Sequence, residues 1–130
     1  MTDKELVMLA KEAMQFAYAP YSNFKVGAAL LSKDGQVFKG CNIENAAYGP
    51  SNCAERTAMF KAISEGVREF EKIAVVASSG DYASPCGICR QVLFEFMPDG
   101  KVILDSDEKG MITYTVRELL PLGFSNEDIK

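Results

Sequence analysis

The sequence predicts a three-layer α/β/α domain, with one mixed sheet of about five strands and helices on its faces. Three observations carry this. Helical and extended patterns follow one another in the order α-β-β-α-β-α-β-β-α. Val26 to Leu31 and Ile73 to Ala77 are unbroken apolar runs, the pattern of strands covered on both faces. The length of 130 residues suits one core, so residues 1–130 are read as a single domain.

Each element has a local reason. Thr2 and Glu5 have the spacing of a capping box, and Leu6, Leu9, Ala10, Ala13 and Ala17 continue at helical spacing. Ala19-Pro20-Tyr21-Ser22 ends that helix. Val26 to Leu31 is then a buried strand, Lys33-Asp34-Gly35 a turn, and Gln36 to Gly40 the hairpin partner. A polar loop runs from Cys41 to Ser51. Asn52 is positioned to cap a second helix that reaches about Ser64, with Gly66 near its end. Ile73 to Ala77 is the central strand. Ser84 as cap and Pro85 at the first helical position open a third helix, which ends near Phe96, before Pro98. Val102 to Leu104 and Met111 to Thr115 form short strands around an acidic turn, and Val116 to Leu120 a short helix. The tail from Gly123 is polar apart from Phe124 and Ile129.

Composition excludes several kinds of function. No apolar run approaches the ~18 residues of a membrane span, and the first residues lack the apolar block of a secretion signal, so a cytoplasmic address is expected. The formal net charge is −4, without a cluster of Lys and Arg, whereas binding a polynucleotide calls for a basic surface. Small-molecule substrates fit better than strands. There is no histidine, so no Ser-His-Asp or Cys-His pair can form. A general base must then be a carboxylate, Lys, Tyr or Cys, and a transition-metal site must use Cys and carboxylates.

The four cysteines are Cys41, Cys53, Cys86 and Cys89. Cys86 and Cys89 stand three apart, on one face of the predicted third helix, and Cys53 stands at the start of the second. If the two helix starts face each other, three thiolates meet. Zinc is the natural metal for them, and three protein ligands leave one tetrahedral position open, the mark of a catalytic site. Two other readings stay open here: a redox dithiol at Cys86 and Cys89, and a four-cysteine structural site that includes Cys41. Three thiolates give the metal site a net negative charge. Helix dipoles at both helix starts offset it, and Arg56, three residues after Cys53, is placed to hydrogen-bond the sulfurs. Glu55 is the candidate proton carrier. Its competing reading is a capping-box glutamate answering Asn52. Residues two apart on a helix point to opposite sides, so Cys53 and Glu55 can share a site only if the metal lies off the helix end.

Cys53-Ala54-Glu55 followed by Pro85-Cys86-Gly87-Ile88-Cys89 resembles the zinc nucleoside and nucleobase deaminase signature in its all-cysteine form. Over nearly the whole chain the sequence is similar to the small homotetrameric cytidine deaminases. The matching blocks are residues 21–30, 42–46, 53–58, 85–91 and 119–124. The resemblance implies a cytidine-deaminase-like fold with one zinc per chain on Cys53, Cys86 and Cys89, leaving Cys41 outside. It implies Glu55 as the acid/base group that also meets the pyrimidine N3. Ala54 would offer its N–H to the base carbonyl, Phe24 would stack on the base, and Asn42 and Glu44 would hold the ribose hydroxyl. Tyr48 and Phe124 would reach the active site of a neighbouring subunit in a homotetramer, and Arg56 would support the ligand sulfurs. The implied reaction converts cytidine and 2′-deoxycytidine to uridine and 2′-deoxyuridine with release of ammonia, as in pyrimidine salvage. The substrate would be a free nucleoside, with no nucleic acid strand and no membrane as partner.

Two departures from the family pattern are small: Ile88 replaces a residue that is often smaller, and Gly49-Pro50-Ser51 lies in a variable loop. Three rivals remain. A blasticidin-type deaminase shares the zinc signature, though Asn42 and Arg56-Thr57 favour the cytidine enzyme. A deaminase of nucleic acid strands shares it too, against the acidic charge balance. A non-enzymatic zinc-stabilised binding module would need four ligands rather than three.

Overall fold

The computed structural model describes residues 1–129. The elements are α1 (Asp3–Met14), β1 (Val26–Ser32), β2 (Val37–Cys41), α2 (Ala54–Ser64), β3 (Phe70–Ala77), α3 (Gly87–Phe96), β4 (Lys101–Ser106), β5 (Gly110–Thr115) and α4 (Val116–Leu119). Their order is the one the sequence predicts. A short 3₁₀ turn over Asn126–Ile129, not expected from the sequence, follows them.

The five strands form one sheet in the order β2-β1-β3-β4-β5. β3 and β4 run parallel, with α3 between them in sequence, and the other neighbours are antiparallel. The sheet is therefore mixed, and alternation along its central strands sorts the core into two layers. Ala29, Leu31, Ala74, Val76 and Ile103 pack under Leu6, Val7 and Ala10 of α1. On the opposite face Ala28, Leu30, Ile73, Val75, Val102 and Leu104 meet Ala58, Met59 and Ala62 of α2 and Leu93 and Phe94 of α3. This is the three-layer α/β/α arrangement.

Close backbone approach seats α2. A Cβ at Gly40 of β2 would lie 2.5 Å from the Ala54 carbonyl oxygen and 2.5 Å from the Ala58 nitrogen. Only glycine lets the start of α2 lie this near the strand.

Thr2 and Glu5 form the expected capping box, with both reciprocal bonds present. Several boundaries differ from the sequence expectation, β3 for instance starting at Phe70 rather than Ile73, and three of them have identifiable hydrogen-bond partners. α1 stops at Met14 and leaves Ala17 outside, because the Tyr18 N–H is taken by the Asn42 carbonyl at 3.0 Å. The caps of α2 and α3 are Cys53 and Cys86, not Asn52 and Ser84. Asn52 instead donates to the Thr57 hydroxyl, and the Ser84 hydroxyl accepts from Arg90, so side chains five and six residues on, within the helices themselves, engage the two expected caps.

Candidate active site

The starts of α2 and α3 face one another, and each has a cysteine at its cap with extended backbone, φ −78° at Cys53 and −66° at Cys86. Neither helix has a side-chain capping hydrogen bond, which leaves both sulfurs free for other partners. Cys89 is the third helical residue of α3 and is fully buried. The sulfurs of Cys53, Cys86 and Cys89 all lie within 4.8 Å of one another, and Cys53 Sγ is 3.8 Å from Cys86 Sγ. A tetrahedral zinc with bonds of ~2.3 Å holds its sulfurs about 3.8 Å apart, so the donor set fits that ion in both chemistry and spacing. Cys41, at the end of β2, is not part of the group. Burial pushes the Cys41 thiol up, as expected of a packed, inert cysteine.

Electrostatics favour the thiolate form at Cys53. Cys53 is lowered to about 5, first by a hydrogen bond from Cys89 and then, against the opposing effect of burial, by Arg56 and Cys86. Cys89 is raised, first by that same bond with Cys53 and then by burial and the charge of Glu55. Arg56 donates from Nη2 to Cys53 Sγ at 3.3 Å. Burial alone would depress Arg56, but hydrogen bonds to Cys53 and Cys89 outweigh it and hold the guanidinium charged. Its Nε is buried without a hydrogen-bond partner among the described residues.

Glu55 is the second residue of α2 and only 4% exposed. α2 has no side-chain cap, so Glu55 is not the capping-box glutamate that its spacing from Asn52 allowed. Burial pushes its carboxyl up to about 7; its own N–H opposes this, and the Cys53 charge adds to it. The geometric objection to Cys53 and Glu55 sharing a site also falls away. Cys53 is the cap rather than a helical residue, so its sulfur projects off the helix end.

These groups border a cavity of about 380 Å³, within the range of small-molecule sites. Cys53, Ala54, Glu55, Arg56 and Cys86 form one side, and Phe24, Asn42 and Glu44 the other. Phe24 is 41% exposed and lines the cavity. Asn42 accepts from the Val26 N–H at 2.9 Å and donates to the Phe24 carbonyl at 2.8 Å, which fixes the segment that carries Phe24 into β1. The Glu44 carboxylate accepts from the N–H groups of Tyr21 and Ser22 at 3.0 and 3.1 Å and from the Ser22 hydroxyl. The Ser22 hydroxyl is the main reason that Glu44 titrates below the usual carboxylate range. Ala54, fully buried, is the first residue of α2, where N–H groups lack helical partners.

Tyr48 and Phe124 do not line this cavity; both are exposed. Tyr48 meets Tyr21 edge-on, with ring centroids 6.3 Å apart, and borders a neighbouring hollow that shares Ser22, Glu44 and Ser51 with the cavity. The Phe124 carbonyl accepts from Gln91 Nε2 at 2.7 Å. A larger hollow of about 580 Å³, around Asp3, Arg68 and Met97, shares no residue with the cysteine cavity. Among the lining residues that sequence reasoning missed are Ser22, Ala83 and Ser84. Ser22 lies inside the matching block 21–30, which was the one signal available; Ala83 and Ser84 have none beyond their nearness to Cys86.

The family model described as the cytidine and deoxycytidylate deaminase zinc-binding region matches residues 1–105. The chain belongs to this family. The three clustered cysteines and Glu55 all fall inside the matched region of the deaminase family; Phe124 falls beyond it. A cytidine deaminase from Sporosarcina psychrophila is 52% identical over 130 residues, covering 99% of this chain and 96% of the relative. One from Halalkalibacterium halodurans is 56% identical over 126 residues, covering 94% and 96%. The crystal structure of cytidine deaminase from Burkholderia pseudomallei superposes with a TM-score of 0.91 at 50% identity, covering 95% of this chain and all of that one. The zinc expected from the sequence thus has both a fitting donor set and a zinc-binding family behind it.

Proposed function

We propose that this chain, as one catalytic domain over residues 1–130, hydrolyses cytidine and 2′-deoxycytidine to uridine, 2′-deoxyuridine and ammonia. The observation that carries the proposal is a buried carboxyl, Glu55, poised near neutrality in a cavity wall beside three clustered thiols. Relatives more than half identical over nearly their whole length are cytidine deaminases.

Cys53, Cys86 and Cys89 hold one zinc ion, which supplies the Lewis acidity that activates water near neutral pH. Glu55 takes a proton from the attacking water and hands it to N3 of the pyrimidine, making C4 electrophilic. The hydroxide adds to C4, and Glu55 then takes the proton of the new C4 hydroxyl and delivers it to the departing amine, leaving a carbonyl at C4, so that one water is consumed and one ammonia released. A carboxyl near 7 is suited to both tasks at physiological pH. Arg56 offsets the negative charge of the sulfurs. Phe24 stacks on the base, the Ala54 N–H meets the base carbonyl, and Asn42 and Glu44 hold the ribose.

Tyr48 and Phe124 complete the site of a neighbouring subunit in a homotetramer. Their exposure, outside the cavity of their own chain, supports this role. Light scattering that found a fully active monomer would overturn it. Among the described residues no helix is long and apolar enough to cross a membrane, and thiols kept free suit a reducing, cytoplasmic compartment.

The experiment is ammonia release from cytidine together with zinc analysis of the same sample. One zinc per chain with turnover is expected. Zinc without turnover would favour the binding-module reading instead. The blasticidin-type reading has less support, because the relatives above half identity carry the cytidine name.

A further inference from the structure

We infer that Arg90 is a positioning residue that fixes the Cys86 ligand and ties it to the C-terminal segment carrying Phe124; this rests on the zinc reading above. Cys86 is the exposed member of the sulfur group, whereas Cys53 is held by Arg56 and Cys89 is buried. As a helix cap, Cys86 gives its carbonyl to the first helical bond, from the Arg90 N–H at 2.9 Å, but the peptide plane entering it lies outside the helical ladder and needs other restraint.

The Arg90 side chain supplies that restraint. Its Nε donates to the Pro85 carbonyl at 2.7 Å, which sets the peptide plane entering Cys86. The guanidinium spans further. Nη2 donates to the Ser84 hydroxyl at 2.9 Å in the cavity wall, and Nη1 donates to the Leu119 carbonyl at 2.8 Å. The Leu120 carbonyl then accepts from Gly123 at 3.1 Å, and Gln91 Nε2 holds the Phe124 carbonyl at 2.7 Å. Two successive residues of α3 thus bind the segment from Leu119 to Phe124 to the turn that bears Cys86 and Cys89.

Lysine cannot replace this fork. It offers one rotatable ammonium where the structure uses three donors in a fixed plane. Removing a group that orients a metal ligand commonly costs about 10- to 100-fold in metal affinity or activity.

The test compares wild type, R90K and R90Q by zinc release to a chromogenic chelator and by melting of zinc-free and zinc-loaded protein. Expected is zinc release at least about tenfold faster in both variants, with kcat reduced, and a larger melting loss in the loaded protein than in the zinc-free one. A purely structural staple would lower both melting curves equally and leave zinc release at the wild-type rate, which would overturn the proposal. Should R90Q not fold, R90K and Ser84→Ala decide; Ser84→Ala removes one partner only, and a release rate between wild type and R90K is expected. Release unchanged in both would again overturn it. Failure of the deaminase reading is distinguishable, since the wild type itself would then bind no zinc or fail to deaminate cytidine.

Discussion

Cys53 and Cys86 cap two different helices, and their sulfurs meet 3.8 Å apart. Both cap positions would ordinarily use a side chain to bind the helix N–H groups, and neither does. With Cys89 from the next helical turn, the caps turn two helix ends into one donor set. The dipoles of both helices then favour the thiolate form where the metal needs it.

Zinc content follows from this arrangement. Cys41→Ala is expected to retain one zinc per chain and near-normal turnover, because Cys41 lies outside the sulfur group. Alanine at Cys53, Cys86 or Cys89 is expected to abolish stoichiometric zinc. Metal analysis of the four variants checks this, and zinc loss in Cys41→Ala would support a four-cysteine site.

Glu55→Gln is expected to keep fold and zinc while losing turnover by at least about 10²- to 10⁴-fold, since this one group serves more than one proton transfer. Stability should move the other way. The folded carboxyl stands at about 7 against an ordinary 4.5, so the folded state favours the protonated form. That contribution is complete below 4.5, falls as pH rises, and is lost above 7. Glutamine stays neutral throughout. The variant should therefore gain on the wild type between pH 4.5 and 7, by at most about 3 kcal/mol. Melting curves at pH 4, 6 and 8 measure it; a constant difference across that range would contradict the buried carboxyl.

Arg56→Ala removes the 3.3 Å bond to Cys53 Sγ. Because the guanidinium acts on the charge of the sulfurs rather than on the nucleoside, kcat should fall about 10- to 100-fold with KM changed far less. Zinc should also be released faster. Unchanged kcat with full zinc occupancy would remove this role.

On the proposed contact to the ribose, Glu44 governs what enters. Held ionised by Ser22, its carboxylate can only accept hydrogen bonds, so it requires a hydroxyl donor from the sugar. Inside a strand that 3′ oxygen carries a phosphodiester, which has no proton to give and repels the carboxylate. Cytidine and 2′-deoxycytidine should react, while 3′-O-methylcytidine and internal cytosines of a single-stranded oligonucleotide should fall by about 10⁴-fold or more. Comparable kcat/KM on the oligonucleotide would overturn the assignment of Glu44 to the ribose.

Some of this protein is written in local pattern. The nine-element order, the Thr2–Glu5 box and the two-sided burial of β1 and β3 follow from periodicity and capping chemistry, which act over a few neighbouring residues. The cysteine signature, Cys53 with Glu55 and then Cys86 and Cys89, is also legible, as a motif resembling a family rather than as local pattern, and through that resemblance it points to the metal. Pattern stops where other hydrogen-bond partners, near or far along the chain, compete. Asn52 and Ser84 have the chemistry of caps, yet Thr57 and Arg90 take their polar groups, and the helices start at the cysteines. Likewise α1 ends early because Asn42, far along the chain, accepts from Tyr18. Glu55 is the plainest case. By spacing it could serve equally as a surface cap or as a proton carrier. Only packing against the sheet buries it to 4% exposure and lifts its carboxyl toward 7, because desolvation is a property of the assembled core and not of the sequence around it.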